Sequence, residues 1–218
     1  MVRNPDRSRR SFISVLTSLA GVTAIQAAGT EAAAQVPTAS AQNWDLRWID
    51  DLKAQHKQVF DLGEIDLASD PRPLRFPRNY LDTFRDVYAL EFPEVKTIVG
   101  ISGRAFPINA TDRLWEKYAL GERSKIIDPL TMKPAVRNVF MDDRTLGVKS
   151  LQARGTIFWQ CNIALTNIAQ QLAGPRNLSA SEVRADLLAG LNPGVRLVPS
   201  HVMAIGLVQE RGVTYVKI

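Results

Sequence analysis

The sequence predicts an α/β protein, a three-layer α/β/α sandwich with about five mainly parallel strands. Short apolar, β-branched runs alternate along the chain with segments of helical periodicity. The two central runs, 95–102 and 156–161, are nearly all apolar, as expected of strands that helices cover on both faces. The chain has 218 residues, of which 45% are hydrophobic, so it can bury a core of this kind.

Residues 1–34 are typical of a twin-arginine signal peptide. Two adjacent arginines stand in the sequence SRRSFI, ahead of an apolar stretch over 12–28. A membrane anchor fits less well, because Ser, Thr and Gly interrupt this short stretch. An A-x-A cleavage site at 32–34 is preferred to a second one at 39–41. We therefore expect a periplasmic protein with no stable membrane span after processing.

The charge of the remaining chain is mild. The whole chain carries a formal net charge of +5, and the first 34 residues hold four arginines and two acidic residues, which leaves +3. No cluster of Lys and Arg stands out after residue 34, so nucleic acid is not an expected partner.

A linker and a short lead-in helix are predicted over residues 35–54, before an α/β domain over 55–218. Trp44, Trp48 and Leu52 recur every four residues in this lead-in, which is the spacing of one helical face.

Strands and helices then alternate to the C-terminus. An amphipathic helix is predicted over 78–92 from an apolar stripe of Leu81, Phe84, Val87 and Tyr88, which can extend to Phe92, and Pro93 ends it. Ser179 and Glu182 form a capping box at the start of a later helix. Caps, glycines and prolines bound the other segments. The strands are predicted over 56–63, 95–102, 156–161, 195–200 and 213–218, and the further helices over 109–118, 145–155, 162–173, 179–190 and 201–212.

Three predicted strand ends carry residues suited to a binding site. Ligands of an open parallel sheet lie outside the carboxyl ends of its strands. The candidate residues are Ser102 and Arg104, then Cys161 and Asn162, and then Ser200 and His201. Arg104 either attracts an anionic substrate or is simply solvated.

Cys161 is the only cysteine in the chain. It stands where a strand passes into a helix, and backbone N–H groups at a helix start favour the thiolate. A single cysteine cannot form an internal disulfide, so it is buried and inert, paired between chains, or free and reactive. Its position alone leaves these alternatives open, since cysteine is often buried.

Metal and nucleotide sites are not expected, and no cofactor is predicted. His56 and His201 are the only histidines, and the chain has no C-x-x-C or H-E-x-x-H motif. The sequence GISG at 100–103 lacks the spacing of a dinucleotide-binding loop. His201 is either a partner of Cys161 or a solvated residue in the first turn of a helix.

The second half of the chain resembles the DsrE/DsrF-like family. The shared features are the strand ending in Cys161, the helix after it, LLAGLNPGVRLVPS (187–200) and LVQERGVTYVKI (207–218), within a match over 145–218. The resemblance implies a flavodoxin-like sandwich that assembles into trimers or hexamers. In sulfur-relay members a cysteine at this junction accepts a persulfide and passes it on, and the matching residue is Cys161.

Two functions are therefore expected as alternatives. In the first, a periplasmic protein carries sulfane sulfur on Cys161, and its partner is a small sulfur-containing anion or a sulfur-acceptor protein. Asn162 would stabilise the anion, Ser102, Ser200 or His201 would line the pocket, and Arg104 would attract the donor. In the second, the protein is a non-enzymatic oligomeric module, with contacts from 119–143 and the two lead-in tryptophans and with a structural cysteine. A third possibility, an oxidoreductase with a bound cofactor, is supported only by the predicted twin-arginine export.

Overall fold

The structure, a computed structural model, describes residues 44–141 and 147–218, which belong to one compact unit. The predicted signal peptide and the linker up to residue 43 lie outside the described residues. Within the described part, no helix has the length and apolar character needed to cross a membrane.

Five parallel strands form one sheet in the order β4-β3-β2-β1-β5. The strands are β1 (His56–Asp61), β2 (Val95–Ile101), β3 (Ile157–Cys161), β4 (Arg196–Val198) and β5 (Thr214–Lys217). The predicted number and direction of strands are confirmed. The C-terminal strand lies at an edge beside β1, so the order of strands reverses between β1 and β5.

One helix precedes β1, and the others occupy the connections between the strands. The helices are α1 (Arg47–Asp50), α2 (Arg75–Tyr88), α3 (Phe106–Asn109), α4 (Asp112–Tyr118), α5 (Leu120–Arg123), α6 (Val148–Ala153), α7 (Asn162–Ala173), α8 (Ala180–Ala189) and α9 (His201–Glu210). The predicted capping box of α8 is present, because the Ser179 hydroxyl accepts from the Glu182 N–H and the Glu182 carboxylate accepts from the Ser179 N–H.

The two faces of the sheet pack against different helices. Side chains of a strand alternate between the faces. Val99 and Phe158 belong to the larger core, which α2, α4, α7 and α8 cover. Ile98 and Trp159 belong to a smaller core on the opposite face, which α1 and α9 cover. The predicted three-layer α/β/α sandwich is therefore confirmed.

Three predicted helices differ in detail from the structure. The helix predicted over 78–92 is Arg75–Tyr88 and ends at a left-handed Ala89, so Pro93 does not end it. The predicted apolar stripe does not hold beyond Phe84, because Val87, Tyr88 and Phe92 are exposed.

The other two differ as follows. The segment 109–118 is broken at Ala110, because its extended backbone pairs with Leu191 and α4 begins only at Asp112. The lead-in helix is a single turn, and Trp48 is buried in the smaller core 6.2 Å from the ring of Trp159. Trp48 thus packs on its own domain.

Candidate functional site

The carboxyl end of the sheet opens into a pocket of about 860 Å³. The ends of β1, β2 and β3 and the start of α9 contribute to its wall, together with α5 and α7. Five of the six predicted residues line this pocket, namely Ser102, Arg104, Cys161, Ser200 and His201. The strand-end rule therefore brings residues from three separate parts of the chain to one place.

Asn162 is the predicted residue that the structure does not bring to the pocket. It is the first residue of α7, and its carboxamide oxygen accepts a hydrogen bond from the Arg184 guanidinium on α8. The side chain therefore ties α7 to α8 and is not among the residues that line the pocket.

The Cys161 sulfur lies between the N-terminal ends of two helices. It accepts hydrogen bonds from the backbone N–H of Ala164 in α7 (3.4 Å) and from the backbone N–H of His201 in α9 (3.3 Å). The residue is only 4% exposed, and it lines the pocket. Both donors are placed to stabilise negative charge on the sulfur, as two helix starts would for a bound anion.

The second donor comes from the pairing of β3 with β4. Cys161 is in register with Val198 at the end of β4, and the chain needs only two further residues to reach Ser200, the N-cap of α9. Sequence reasoning predicted the α7 donor, because α7 follows Cys161 directly. It missed the α9 donor, which depends on strand pairing.

The imidazole of His201 is held on both sides. Its Nδ1 lies 3.1 Å from the indole Nε1 of Trp159, and its Nε2 lies 2.7 Å from Oδ1 of Asp61. The indole nitrogen can only donate, so Nδ1 is the acceptor and Nε2 carries the hydrogen and donates to Asp61. His201 is buried, so it is not a solvated residue, and its contact with Cys161 is made by the main chain.

Asp61 collects three hydrogen bonds at the end of β1. It accepts from His201, from the Gly63 N–H (2.8 Å) and from the Tyr215 hydroxyl on β5 (2.8 Å). Burial raises the pKa of Asp61, but these three bonds together outweigh burial and bring the pKa to about 2. The bond to Asp61 in turn raises the pKa of Tyr215. Asp61 is thus a carboxylate that organises its neighbours.

Sequence reasoning missed Asp61, Trp159 and Tyr215. Asp61 could have been predicted, because the rule that ligands lie at the carboxyl ends of strands applies to β1 as it does to the other strands. Nothing in the sequence pairs Tyr215 or Trp159 with it, since 154 residues separate Asp61 from Tyr215.

The mouth of the pocket carries cationic side chains above an apolar floor. Arg104 is 63% exposed and forms an ion pair with Asp66 at 3.0 Å. Arg123 and Lys125 also line the pocket, and within the described part of the chain neither has an ion-pair partner. The apolar lining includes Leu67, Phe106, Pro107, Leu120 and Leu172. Three acidic side chains, Asp61, Glu64 and Asp66, line the same pocket, so basic and acidic groups are equal in number there. The lining suits a ligand that has both polar and apolar parts.

Two hydroxyls in the pocket are not engaged by the protein. Ser102 and Ser200 are half-buried, and among residues 44–141 and 147–218 no side-chain hydrogen bond holds either of them. In the same residues, no group of three or more His, Cys, Asp and Glu side chains is placed to hold a metal ion.

Comparisons with known proteins leave the site to be interpreted from its own geometry. The chain matches no protein-family model and no curated protein. It is similar to a solved structure, the protein of unknown function MTH1491 from Methanobacterium thermoautotrophicum, with 16% identity and a TM-score of 0.40. The similarity covers 75% of this chain and 99% of that one. Because this TM-score is low, the fold assignment stands on the sheet and the helix layers described above.

Proposed function

We propose that the protein binds sulfane sulfur as a persulfide on Cys161 and passes it to an acceptor. The observation that carries this proposal is the surroundings of one atom. Two backbone N–H groups point at Sγ from two helix starts, and a pocket large enough for a substrate opens beside it. A cysteine that only fills space needs neither the donors nor the pocket.

The resemblance to the DsrE/DsrF-like family supports the same proposal, because Cys161 matches the cysteine that carries the persulfide in its sulfur-relay members. Periplasmic location through the twin-arginine signal and assembly into a trimer or hexamer belong to the proposal as well.

The reaction needs no external oxidant or reductant. With thiosulfate as donor, the Cys161 thiolate attacks the outer sulfur, a new S–S bond forms, and the old S–S bond breaks to release sulfite. The thiolate and thiosulfate carry three negative charges between them, and the perthiolate and sulfite carry the same three. An acceptor thiolate then attacks the terminal sulfur and leaves Cys161 as a thiolate again.

The protein would contribute charge stabilisation and attraction. The N–H groups of Ala164 and His201 hold the sulfur while it is negative. Arg123 and Lys125, which also line the pocket, would attract an anionic donor, whereas the charge of Arg104 is already paired with Asp66. A pocket of about 860 Å³ exceeds what thiosulfate fills, so an organic persulfide also fits as donor.

The test is the mass of the intact protein after treatment with inorganic polysulfide. We expect a gain of about 32 Da per sulfur, reversed by dithiothreitol and absent from Cys161→Ala. If the folded wild-type protein gains no sulfur while a small-molecule thiol in the same tube does, the proposal is wrong.

A second candidate function is a non-enzymatic oligomeric binding module. It is favoured by exposed apolar side chains in the segment 119–143, where Leu130, Met132 and Val136 are 79%, 76% and 70% exposed. In this case Cys161 is structural. Sedimentation of the wild type and of a Leu130→Ser/Met132→Ser variant tests it, because loss of a wild-type oligomer in the variant supports an interface there.

A further inference from the structure

We infer that the buried side chains of Trp159, His201 and Asp61, together with the exposed Tyr215, form a positioning device for Cys161, in which His201 acts through its backbone N–H and not through its imidazole. We call these four residues the positioning device. The inference rests on the proposed function only in taking Cys161 as a nucleophile.

The register of the sheet builds this device. Asp61, Gly100 and Trp159 are paired across β1, β2 and β3, so they form one row on the face that α9 covers. The His201 ring lies over this row and is bonded to both of its ends, to Trp159 at 3.1 Å and to Asp61 at 2.7 Å. Tyr215 on β5 is in register with Val59, outside this row, and its hydroxyl donates to the second oxygen of Asp61.

Glycine in the middle of the row leaves the space for the ring. A Cβ at Gly100 would lie 2.6 Å from Cζ2 of Trp159 and 3.0 Å from Cε1 of His201. A Cβ at Gly63 would likewise lie 3.1 Å from both Oδ1 of Asp61 and Nε2 of His201. The two glycines therefore border the ring directly, and any side chain there would crowd it.

The hydrogen bonds that fix the imidazole ring of His201 also fix the position of its backbone N–H. His201 is the first residue of α9, and its N–H lies 3.3 Å from the Cys161 sulfur. Because the imidazole is bonded at both nitrogens, the residue cannot shift away from the sulfur without breaking at least one of these bonds. The same two bonds leave neither ring nitrogen free to take the thiol proton, so this proton leaves through the pocket to solvent.

The test is the rate at which iodoacetamide alkylates Cys161 in the folded protein. The reaction forms an S–C bond and releases iodide, and the thiol proton goes to solvent. We expect His201→Ala to slow alkylation about tenfold, the effect of losing one charge-assisted hydrogen bond. We expect His201→Gln to slow it no more than about threefold, since its amide N–H can still donate to Asp61. A general-base imidazole predicts equal losses in both variants, and that result would overturn the inference.

Controls separate positioning from stability. His56→Gln changes the only other histidine, which lies at the opposite end of β1, and we expect it to leave the rate unchanged. If His201→Ala does not fold, Tyr215→Phe takes its place, because Tyr215 lies on the edge strand and loses only its bond to Asp61. Tyr88→Phe, on the exposed surface, is its matched control. Equal rates in Tyr215→Phe and Tyr88→Phe would count against the device.

Nitrogen-15 NMR of His201 gives an independent readout. We expect a ring protonated at Nε2 and not at Nδ1 at neutral pH, and an amide signal of His201 that moves when Cys161 is alkylated. A ring protonated at Nδ1 contradicts the inference. Alkylation and NMR use no sulfur donor, so they test the positioning device independently of the proposed function. If the wild type gains no sulfur but His201→Ala is alkylated more slowly than His201→Gln, only the proposed function is refuted.

Discussion

At the scale of single residues, Asp61 links the pocket to the stability of the fold. Its folded-state pKa of about 2 lies below the ordinary 3.8. A carboxyl group with a lowered pKa stabilises the folded state above its unfolded pKa, and this contribution is lost as pH falls through the folded value. We expect about 2 kcal/mol of unfolding free energy to disappear as pH falls from 3.8 towards 2. Urea unfolding across this pH range measures the loss.

The contribution of Asp61 is isolated by comparison with Asp61→Asn. The pKa of Asp186 is also lowered to about 2, and the pKa values of several other carboxyl groups are lowered as well, so the wild type loses stability from more groups than Asp61 as pH falls. The difference between wild type and Asp61→Asn should therefore shrink as pH falls. A difference that stays constant from pH 3.8 to 2 would mean that the pKa of Asp61 is the same in the folded and unfolded states.

At the scale of elements, two glycines in different settings give opposite expectations. Gly100 lies in β2 under the ring of Trp159, and Gly206 lies in α9 with no atom within 4 Å of an added Cβ. We expect Gly100→Ala to lower the unfolding free energy by about 1–3 kcal/mol, because the added methyl group overpacks the smaller core. We expect Gly206→Ala to raise it by up to about 1 kcal/mol, the gain in helix propensity. Urea unfolding of the two variants measures both changes.

The Gly100 substitution also reports on the site. If the Cβ displaces the Trp159 ring, it breaks the bond to Nδ1 of His201, and alkylation of Cys161 should slow along with the loss of stability. A Gly100→Ala protein as stable and as reactive as wild type would show that the row across β1, β2 and β3 is loosely packed.

At the scale of the whole molecule, the protection of backbone amides from hydrogen exchange should fall from the centre of the sheet to its edges. β2 is hydrogen-bonded on both sides and buried on both faces, whereas most residues of the edge strand β5 are exposed. We expect the amides of β2 to exchange last in native-state hydrogen exchange and those of β5 to exchange through smaller openings. Equal protection of β5 and β2 would contradict this expectation and would place a covering partner on that edge.

The layered fold follows from patterns that are local in the sequence. The apolar run of β2, the helix α2 and the Ser179–Glu182 cap each need only a few consecutive residues to identify them, and each is present in the structure. The break at Ala110 was not predicted, because it depends on a bridge to Leu191, which is 81 residues away. Likewise the strand-end rule placed Ser102, Cys161 and Ser200 at one pocket but could not say which groups they meet there.

The sequence by itself determined that a lone cysteine follows a buried strand at the start of a helix, and this places Cys161 at the binding edge of a parallel sheet. Only the tertiary structure decided what surrounds the sulfur. The N–H of His201 reaches it because β4 pairs with β3, and the imidazole turns to Asp61 and Trp159 because strand register sets those two in one row with a glycine between them. Periodicity and propensity act over neighbouring residues, whereas register joins residues far apart in the chain, and no single segment encodes it.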